Sequence, residues 1–408
     1  MSFLKEIPPT AGFPLYFKDI LSLFKKDSLD FEGDFKKYLG CDYAKTTCSG
    51  TSAFYLILET LKEISNKKTI IIPSYICPLV PLAIQRAGLK TRICDIKGDD
   101  FNYNAQELQK ICAQNKDIAA IVVAHLGGLP LDCKQIGTIA KESGILVIED
   151  CAQSLGASYQ GKKTGTFGDF SFFSFCRGKG LTIYEGGMFV SNRKEFSEVA
   201  DRVIARLQKN NMPQELLKTF EIFGYWIFYR PLLFWFVFGL PKFFWNILGQ
   251  SHRANIEYFT VDFPIHSVSK TRRKIGVNQL LRLESEIEKQ RQKAQFYIEK
   301  LKDLQGISII KELPDSRSSW PFLTVIFDEP VKKKESFEKL QVLGLGVSEI
   351  YGSAINEYEY LKGYFSKSDC PAGKSLAGRA ITLSTSVFLN ERDLERVIGG
   401  IKSILSKN

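Results

Sequence analysis

The feature that most constrains the fold of this 408-residue chain is the alternation of strand and helix patterns up to residue 150. Apolar runs typical of buried strands fall at 68–75, 89–96, 118–125 and 144–150, and helical patterns lie between them. Strands separated by helices form βαβ units, in which the strands run parallel. The sequence therefore predicts an α/β fold built on a mainly parallel sheet.

The rest of the sequence divides into an aromatic stretch and a second α/β region. Residues 220–248 are rich in Phe, Trp and Tyr, and a long helical pattern starts near residue 275. A chain of this length exceeds a single core of common size. We predict a large domain over 1–210, an aromatic insertion over 211–260 and a smaller C-terminal domain over 261–408.

Composition and charge exclude several classes of protein. The net charge of +10 comes from short, scattered basic clusters without a nucleic-acid-binding motif, so no nucleic acid is predicted as a partner. Nine cysteines form no C-x-x-C pair and three histidines show no ligand spacing, so reduced thiols and no metal site are expected. The N-terminus shows no secretion signal, which predicts a cytoplasmic protein.

Polar side chains collect at one edge of the predicted sheet. Asp150 ends an apolar strand, and Tyr75 and His125 follow two of the other strands. Ligands of parallel sheets bind at the carboxyl ends of the strands, so these residues are expected to flank one crevice. A buried carboxylate needs a cationic partner, and for Asp150 taken alone a salt bridge or a helix cap is the favoured explanation.

The stretch "FSFFSFCRGKG" over 170–180 contains a suitable cation. Its alternation of aromatic and small residues predicts a half-buried strand, which ends in a loop that carries Lys179 between two glycines. Taken alone, such a lysine would be a solvated loop residue. Pyridoxal phosphate (PLP) needs both a lysine amine for a covalent link and a carboxylate, here Asp150, that keeps its ring nitrogen protonated.

A phosphate site is predicted at the start of the first long helix. The run "TCSGTSAF" puts Ser49, Gly50 and Thr51 at the helix N-terminus, where free N–H groups and the helix dipole attract anions. Taken alone, this run is explained equally well by an ordinary N-cap. Followed in the chain by Asp150 and Lys179, it completes the three groups that PLP needs.

Five longer runs carry a resemblance to a known family. They are "CSGTSAF", "IIIPSYICPLVPLAIQRAGLKTRICDI", "VVAHLGGLPLD", "VIEDCAQSLGASYQGKKTGTFGDFSFFSFCRGKGLTIYEGG" and "GRAITLSTSVFLNERDLERVI". The chain resembles the DegT–DnrJ–StrS family of PLP-dependent sugar aminotransferases over residues 30–195 and 275–405. The resemblance implies a fold-type-I transferase with a large domain, whose mainly parallel sheet is flanked by helices, and a smaller C-terminal α/β domain.

The resemblance also implies a role for each matching residue around the cofactor. Lys179 would link the cofactor covalently, and Asp150 would pair with the pyridine nitrogen. Gln153 would donate a hydrogen bond on the side of the ring hydroxyl. Ser174 would bind the phosphate together with the backbone at 50–51.

On the substrate side, the family pattern indicates three residues. Tyr75 ends the "PSY" run, His125 lies in an H-L-x-G pattern, and Tyr351 stands where the family has an aromatic residue near the substrate. A structural role for His125 is an equally good interpretation. The presence of Lys179 argues against the dehydratase branch of the family, in which a histidine replaces this lysine.

The chain departs from the family in two places. The Thr and the ring-stacking aromatic residue that follow "PSY" in the family are replaced by Ile76 and Cys77. Either the preceding tyrosine or another aromatic ring stacks instead, or the smaller side chain makes room for an unusual substrate. The Asn that reaches the phosphate across the dimer is replaced at Ile265, and the substitutes to consider are His266, Ser269 and Lys270.

These implications define the predicted function. The chain is expected to move an amino group from an amino acid, glutamate by family analogy, to a nucleotide-linked or lipid-linked keto-sugar. Cell-surface polysaccharide or glycolipid biosynthesis is the expected setting, and a homodimer is implied. Two alternatives stay open: a PLP-dependent lyase or desulfurase of the same fold, and a non-catalytic regulatory protein that retains the fold.

Residues 220–248 are not required by the family core. Thirteen of these 29 residues are aromatic, and only Glu221, Arg230 and Lys242 are charged. Proline and charge break the run into pieces too short to span a bilayer. Short Trp- and Phe-rich helices suit the bilayer interface, so peripheral contact with the inner face of the cytoplasmic membrane is predicted. A helical pair buried at the dimer interface is the alternative.

Overall fold

The computed structural model of the chain describes residues 5–9, 12–25, 29–241, 244, 259–365 and 368–406. Within the aromatic stretch, residues 242–243 and 245–248 therefore lie outside the described residues. The strands are β1 (Tyr43–Thr47), β2 (Thr69–Pro73), β3 (Lys90–Cys94), β4 (Ile118–Ala124), β5 (Leu146–Asp150), β6 (Ser158–Tyr159), β7 (Lys162–Lys163), β8 (Phe170–Ser174), β9 (Gly187–Ser191), β10 (Ile307–Ile309), β11 (Ser316–Arg317), β12 (Phe322–Phe327) and β13 (Ala380–Ser384).

Helices separate most of these strands. They are α1 (Phe17–Ser22), α2 (Phe31–Leu39), α3 (Gly50–Ile64), α4 (Leu79–Arg86), α5 (Ala105–Gln114), α6 (Cys133–Glu142), α7 (Lys194–Leu207), α8 (Met212–Phe228), α9 (Pro231–Phe234), α10 (Lys270–Leu301), α11 (Pro330–Gln341), α12 (Pro371–Arg379) and α13 (Glu391–Leu405). A π-helical stretch over Trp235–Gly239 continues α9, and 3₁₀ turns occur at Leu126–Gly128, Ile355–Glu357 and Glu359–Leu361.

A seven-stranded sheet organises the larger part of the fold. Its order is β1-β9-β8-β5-β4-β2-β3, in which β3, β2, β4, β5 and β8 run parallel and β9 is antiparallel to both of its neighbours. Every residue of β2 and β4 is buried, as expected for strands covered on both faces. The predicted mainly parallel α/β sheet is confirmed.

A smaller antiparallel sheet, β10-β12-β13, forms after α10. All residues of β12 and β13 are buried, and α11 and α13 pack against each other beside them. The N-terminal segment joins the two regions, because the Ile7 N–H donates to the Gly344 carbonyl and the Glu6 N–H to the Pro231 carbonyl. The predicted domain boundaries at residues 210 and 260 stay predictions.

The helix α10 begins before its predicted start near residue 275, because a basic run that resembles a solvated surface is partly buried. Arg272 is fully buried and donates to both carboxylate oxygens of Glu215 in α8 and to two backbone carbonyls of the 183–185 loop. Burial alone would raise the pKa of Glu215, but the guanidinium and a backbone N–H hold that pKa below its usual value. The ion pair thus fixes α8 against the loop that follows β8.

None of the described helices is, by itself, long and apolar enough to cross a membrane. α8 and the Pro231–Gly239 helix reach that length and composition only as a pair, and they meet at a bend of 112°. The bend falls at Arg230 and Pro231, where the sequence predicts a break.

Candidate active site

A cavity of about 400 Å³ opens at the carboxyl edge of the large sheet. With the exception of Tyr75, all the site residues predicted from the sequence line it: Gly50, Thr51, His125, Asp150, Gln153, Ser174, Lys179 and Tyr351. The edge brings them together because β4, β5 and β8 run parallel and end side by side.

The N-terminus of α3 forms one wall of the cavity. Ser49 caps the helix, since its Oγ accepts the Ser52 N–H at 3.0 Å. The N–H groups of Gly50 and Thr51 belong to the first turn and have no partner within the helix. A Cβ on Gly50 would lie only 3.0 Å from the Ser174 Cβ, so the helix terminus and the end of β8 are in direct contact. Backbone donors and a serine hydroxyl thus converge on one anion-binding wall.

Asp150 ends β5, lines the same cavity and is 6% exposed. Its carboxylate accepts the Ala152 N–H at 3.0 Å. Burial raises the pKa of Asp150, and the Ala152 N–H, Lys179 and His125 offset only part of that effect. A cationic N–H donor bound in the cavity would stabilise the ionised form of this carboxylate.

Lys179 lies on a loop that leaves β8 and returns to β9. The Phe175 N–H donates to the Gly186 carbonyl at 2.7 Å, which closes the base of the loop. Gly12 packs directly on Gly178, where a Cβ on Gly12 would come within 2.6 Å of the Gly178 Cα. The N-terminal segment therefore backs the loop and limits the positions that Lys179 can take.

Gln153 enters the cavity from the turn after β5. Its Oε1 accepts the Gly127 N–H at 2.8 Å, with the amide orientation assigned from this bond. Because the carbonyl oxygen is engaged, the group that Gln153 offers to a ligand is its Nε2 donor. This matches the donor role that the family resemblance implies.

His125 and Glu149 form a buried hydrogen-bonded unit at the cavity floor. The Glu149 carboxylate accepts three backbone N–H bonds of 2.7 Å from the 165–168 turn, and its Oε2 lies 3.0 Å from His125 Nε2. His125 Nδ1 accepts the Leu131 N–H at 3.1 Å, so Nε2 carries the proton. Both ring nitrogens are engaged, which favours the structural interpretation and leaves only the ring face towards the cavity.

Cys133 completes a group of buried side chains with His125 and Glu149, whose potential ligand atoms lie within 4.8 Å of one another. The lone pair on His125 Nδ1 and the Glu149 oxygens are already used by protein N–H donors. The geometry is that of a hydrogen-bonded cluster, and the expected absence of a metal stays a prediction.

The region after "PSY" differs from the sequence-based expectation. Tyr75 lies behind the cavity wall, where its hydroxyl donates to the Tyr351 carbonyl at 3.0 Å and accepts the Tyr351 N–H at 3.2 Å. Tyr75 therefore holds Tyr351 in place and is not one of the lining residues. Cys77 does line the cavity, together with the rings of His125 and Tyr351.

The segment that replaces the family's Asn is turned away from the cavity. His266 Nδ1 lies 3.4 Å from a Glu215 carboxylate oxygen, and the Ser269 N–H donates to that carboxylate at 2.7 Å. Phe263 and Pro264, just before the replaced position Ile265, line the cavity. Which residue reaches a phosphate across a dimer stays a prediction.

Sequence reasoning assigned no role to Arg177, which lines the cavity two residues before Lys179. Its guanidinium lies 5.1 Å from the centre of the Tyr184 ring and 3.7 Å from Glu185, yet more than half of its side chain is exposed. The signal was present in the loop sequence "CRGKG", where a second cation accompanies the lysine. A basic residue so close to Lys179 is suited to bind an anionic group.

A lysine, a buried carboxylate and an anion-binding helix terminus, facing one cavity on an α/β sheet, define a pyridoxal-phosphate enzyme. Comparison with known proteins makes the class specific. The model of the DegT/DnrJ/EryC1/StrS aminotransferase family matches residues 19–219 and 268–402, and the chain belongs to this family. It is a PLP-dependent aminotransferase.

Individual relatives match different shares of the chain. A transaminase of Campylobacter jejuni, named for UDP-4-amino-4,6-dideoxy-N-acetyl-β-L-altrosamine, is 27% identical over 93% of this chain and 89% of its own length. A GDP-perosamine synthase of Escherichia coli is 38% identical over 40% of this chain and 44% of its own length. The crystal structure of PseC, an aminotransferase of Helicobacter pylori, superposes with a TM-score of 0.78 at 20% identity and covers 99% of this chain and 100% of PseC. The fold is fold type I.

The cavity fits PLP by its own geometry. The wall formed by α3 and Ser174 supplies donors for a phosphate, and Asp150 supplies a carboxylate that forms no ion pair with another described residue. Lys179 lines the same cavity. The residues that would hold the cofactor are thus the ones predicted from the sequence, and their individual roles are proposals.

Gly187 offers a test of the phosphate wall, because a Cβ there would lie 2.4 Å from the Ser49 carbonyl oxygen and 2.6 Å from the Gly50 nitrogen. Gly187→Ala is expected to push the start of α3 away at a cost of about 1–3 kcal/mol and to weaken PLP binding about tenfold or more. Titration of the apoprotein with PLP, followed by absorbance, measures the affinity. Gly180→Ala is the matched control, since its Cβ would lie 3.6 Å from Phe13. Equal losses in both variants would contradict the assignment.

Proposed function

We propose that the protein transfers an amino group to the ketone of a nucleotide-linked keto-sugar. Membership of the aminotransferase family supports the reaction class, and relatives named for UDP-linked and GDP-linked sugars support the substrate class. The observation that carries the proposal is the convergence of Lys179, Asp150 and the α3 terminus on one cavity. Glutamate as donor and a role in cell-surface polysaccharide or glycolipid biosynthesis are further parts of this proposal, and a lipid-linked acceptor is its alternative form.

Lys179, Asp150 and Ser174 would have separate roles in this reaction. When bound, PLP supplies an electron sink for the carbon that loses a proton. The Lys179 amine would take that proton from the α-carbon of the donor and pass it to the cofactor, and in the second half of the reaction it would move a proton to the sugar carbon that receives the nitrogen. Asp150 would keep the ring nitrogen protonated, and Ser174 with the α3 terminus would hold the phosphate. The donor leaves as a 2-oxo acid, and its nitrogen ends on the former ketone carbon of the sugar.

Lys179→Ala tests the central role. We expect turnover to fall by about a hundred- to ten-thousand-fold, because no other group replaces the proton-transferring amine. Release of the 2-oxo acid in the presence of a panel of nucleotide-linked keto-sugars measures turnover, and borohydride treatment shows whether the cofactor is linked to the protein. Lys163→Ala, which removes a lysine stacked on Tyr38, is the control. Cofactor still fixed covalently by borohydride in Lys179→Ala would show the assignment to be wrong.

Arg177 is proposed to bind an anionic group of the substrates, either the donor carboxylate or the nucleotide diphosphate. If Lys179 serves the chemistry, Arg177 is the remaining basic side chain that lines the described cavity. It is partly exposed, stands two residues before Lys179 in the chain and lines the same cavity.

Arg177→Gln is expected to raise the KM of one of the two substrates about tenfold with little change in kcat, since a charged hydrogen bond is lost. Steady-state kinetics with each substrate varied in turn identifies which anion is bound. Arg177→Lys should restore part of the affinity. Arg193→Gln is the control, because Arg193 is similarly exposed and pairs with Asp169. Unchanged KM values for both substrates in Arg177→Gln would remove the proposal.

A homodimer is proposed from the family resemblance. Fold-type-I enzymes assemble their sites between subunits, and His266, Ser269 and Lys270 stay the substitutes to consider for the phosphate contact across the dimer. Sedimentation of the active holoenzyme at micromolar concentration is expected to give the mass of two chains. A fully active monomer would refute the proposal.

Two of the thiols that line the cavity do not favour the desulfurase alternative. Desulfurase chemistry needs a thiolate nucleophile, whereas burial raises the pKa of Cys77 and of Cys48. Both thiols therefore stay protonated near neutral pH.

Peripheral attachment to the inner face of the cytoplasmic membrane through residues 220–248 is the last part of the proposed function. The aromatic composition of this stretch and the bend of the α8–α9 pair support an arrangement that lies along a bilayer surface.

A further inference from the structure

Exposed apolar side chains are concentrated on one part of the protein. Of the large hydrophobic residues that are exposed in the described chain, most fall in α1 and its C-terminal end or in the 212–244 stretch. They are Phe17, Leu21, Phe24, Met212, Leu216, Leu217, Phe220, Ile227, Phe228, Leu232, Leu233, Phe236, Val237 and Phe244. The sequence predicts the second group as apolar, but the contribution of α1 emerges only from the structure.

Direct contacts hold the two groups side by side. The rings of Phe17 in α1 and Trp226 in α8 lie 6.1 Å apart. The Arg230 guanidinium at the end of α8 donates to the Leu15 carbonyl, just before α1, at 2.7 Å. Asp19, the acidic residue of α1, is buried and paired with Arg282 of α10, which fixes the rotation of α1. We refer to the exposed apolar residues of α1 and of the 212–244 stretch as the composite face.

Each helix presents a consistent side to this face. In α8, Leu216, Phe220 and Ile227 are spaced four and seven residues apart and therefore lie on one stripe. In the helix after the bend, Leu232 and Phe236 repeat that spacing. Burial on the opposite side, for example of Ile222 in the core, orients the stripe outwards.

The exposed charges in the described part of the composite face are of one sign. Among the described residues 12–25 and 212–241, the charged side chains that are exposed are Lys18 and Lys25. The acidic residues of these helices are turned inwards, with Glu215 bound to Arg272 and Glu221 bound to Lys218. A face of Phe and Leu side chains with lysines at its edge matches an anionic lipid surface.

A second copy of the chain is a poorer occupant. Two such faces would bring Lys18 and Lys25 of one copy close to those of the other without an acidic partner in the described part of the face. Moreover, the family model does not extend over residues 220–267, so much of the face lies outside what the family shares. These two facts favour lipid over a common dimer interface.

We propose that α1 and the 212–244 stretch together form one docking face for an anionic bilayer, in which α1 is as necessary as the aromatic stretch. Phe17, Leu21 and Phe24 insert at the level of the headgroups, and Lys18 and Lys25 contact lipid phosphates. This inference rests on the proposed peripheral attachment and extends it to a second helix.

The test is flotation of the full-length holoenzyme with vesicles of phosphatidylcholine, alone or mixed with phosphatidylglycerol. We expect the wild type to float with the mixed vesicles and much less with phosphatidylcholine. Phe24→Glu and Phe220→Glu should each reduce the bound fraction about tenfold or more. In the wild type each phenylalanine buries its ring in the lipid, and the glutamate that replaces it is repelled by the anionic headgroups. Val342→Glu, at an exposed apolar position in the C-terminal region, is the matched control and should bind as the wild type does.

The outcomes distinguish the composite face from attachment through 220–248 alone and from a contact between copies. If Phe220→Glu loses binding but Phe24→Glu does not, the composite face is wrong while attachment through 220–248 stands. If the wild type fails to float, or floats equally with both vesicles, the proposal of an anionic bilayer is overturned. A dimer that Phe24→Glu dissociates, without any flotation of the wild type, would instead identify a contact between copies. Thermal unfolding and turnover with soluble substrates, measured without vesicles, show that each variant is folded and test the catalytic proposal independently.

Discussion

The active-site edge depends on one buried carboxylate, that of Glu149. A charge in the core of a sheet is tolerated only when hydrogen bonds replace its water, and here three backbone N–H groups and His125 do so. The same bonds hold the turn that leads into β8 and fix the ring of His125 at the cavity. The next residue, Asp150, receives far less support, and burial raises its pKa. The two adjacent carboxylates thus differ: four hydrogen-bond donors surround the first, whereas the second accepts the Ala152 N–H.

Much of this edge could be predicted from the sequence, because its elements follow local rules. The apolar runs at 68–75, 89–96, 118–125 and 144–150 predict four strands whose bounds lie within two residues of those in the structure. Asp150 and Lys179 stand out in the sequence because a carboxylate at the end of an apolar strand needs a cation, and a lysine follows on a later loop. Tyr75 was assigned to the substrate because it follows a strand, but the direction of its side chain is set by a distant partner, Tyr351.

Features that depend on long-range pairing could not be predicted in this way. The basic run at the start of α10 looks solvated, and only the position of Glu215 in α8 makes it a buried ion pair. Likewise, α1 shows a mixture of charged and apolar residues that suits many environments. Which side is exposed depends on a distant partner, because the pairing of Asp19 with Arg282 turns the phenylalanines outwards.

The backing of the lysine loop by the N-terminal segment has a consequence for how the chain acquires its structure during synthesis. Gly12 and Phe13 leave the ribosome first, but their partners at residues 178–180 follow much later, and the bond between Tyr75 and Tyr351 spans 276 positions. Contacts between residues so far apart in the sequence stabilise the fold only after a long loop has closed. The sheet can form early from neighbouring βαβ units, whereas the cavity closes only when nearly the whole polypeptide has emerged. The lining of the cavity is therefore complete only after Tyr351 has been synthesised.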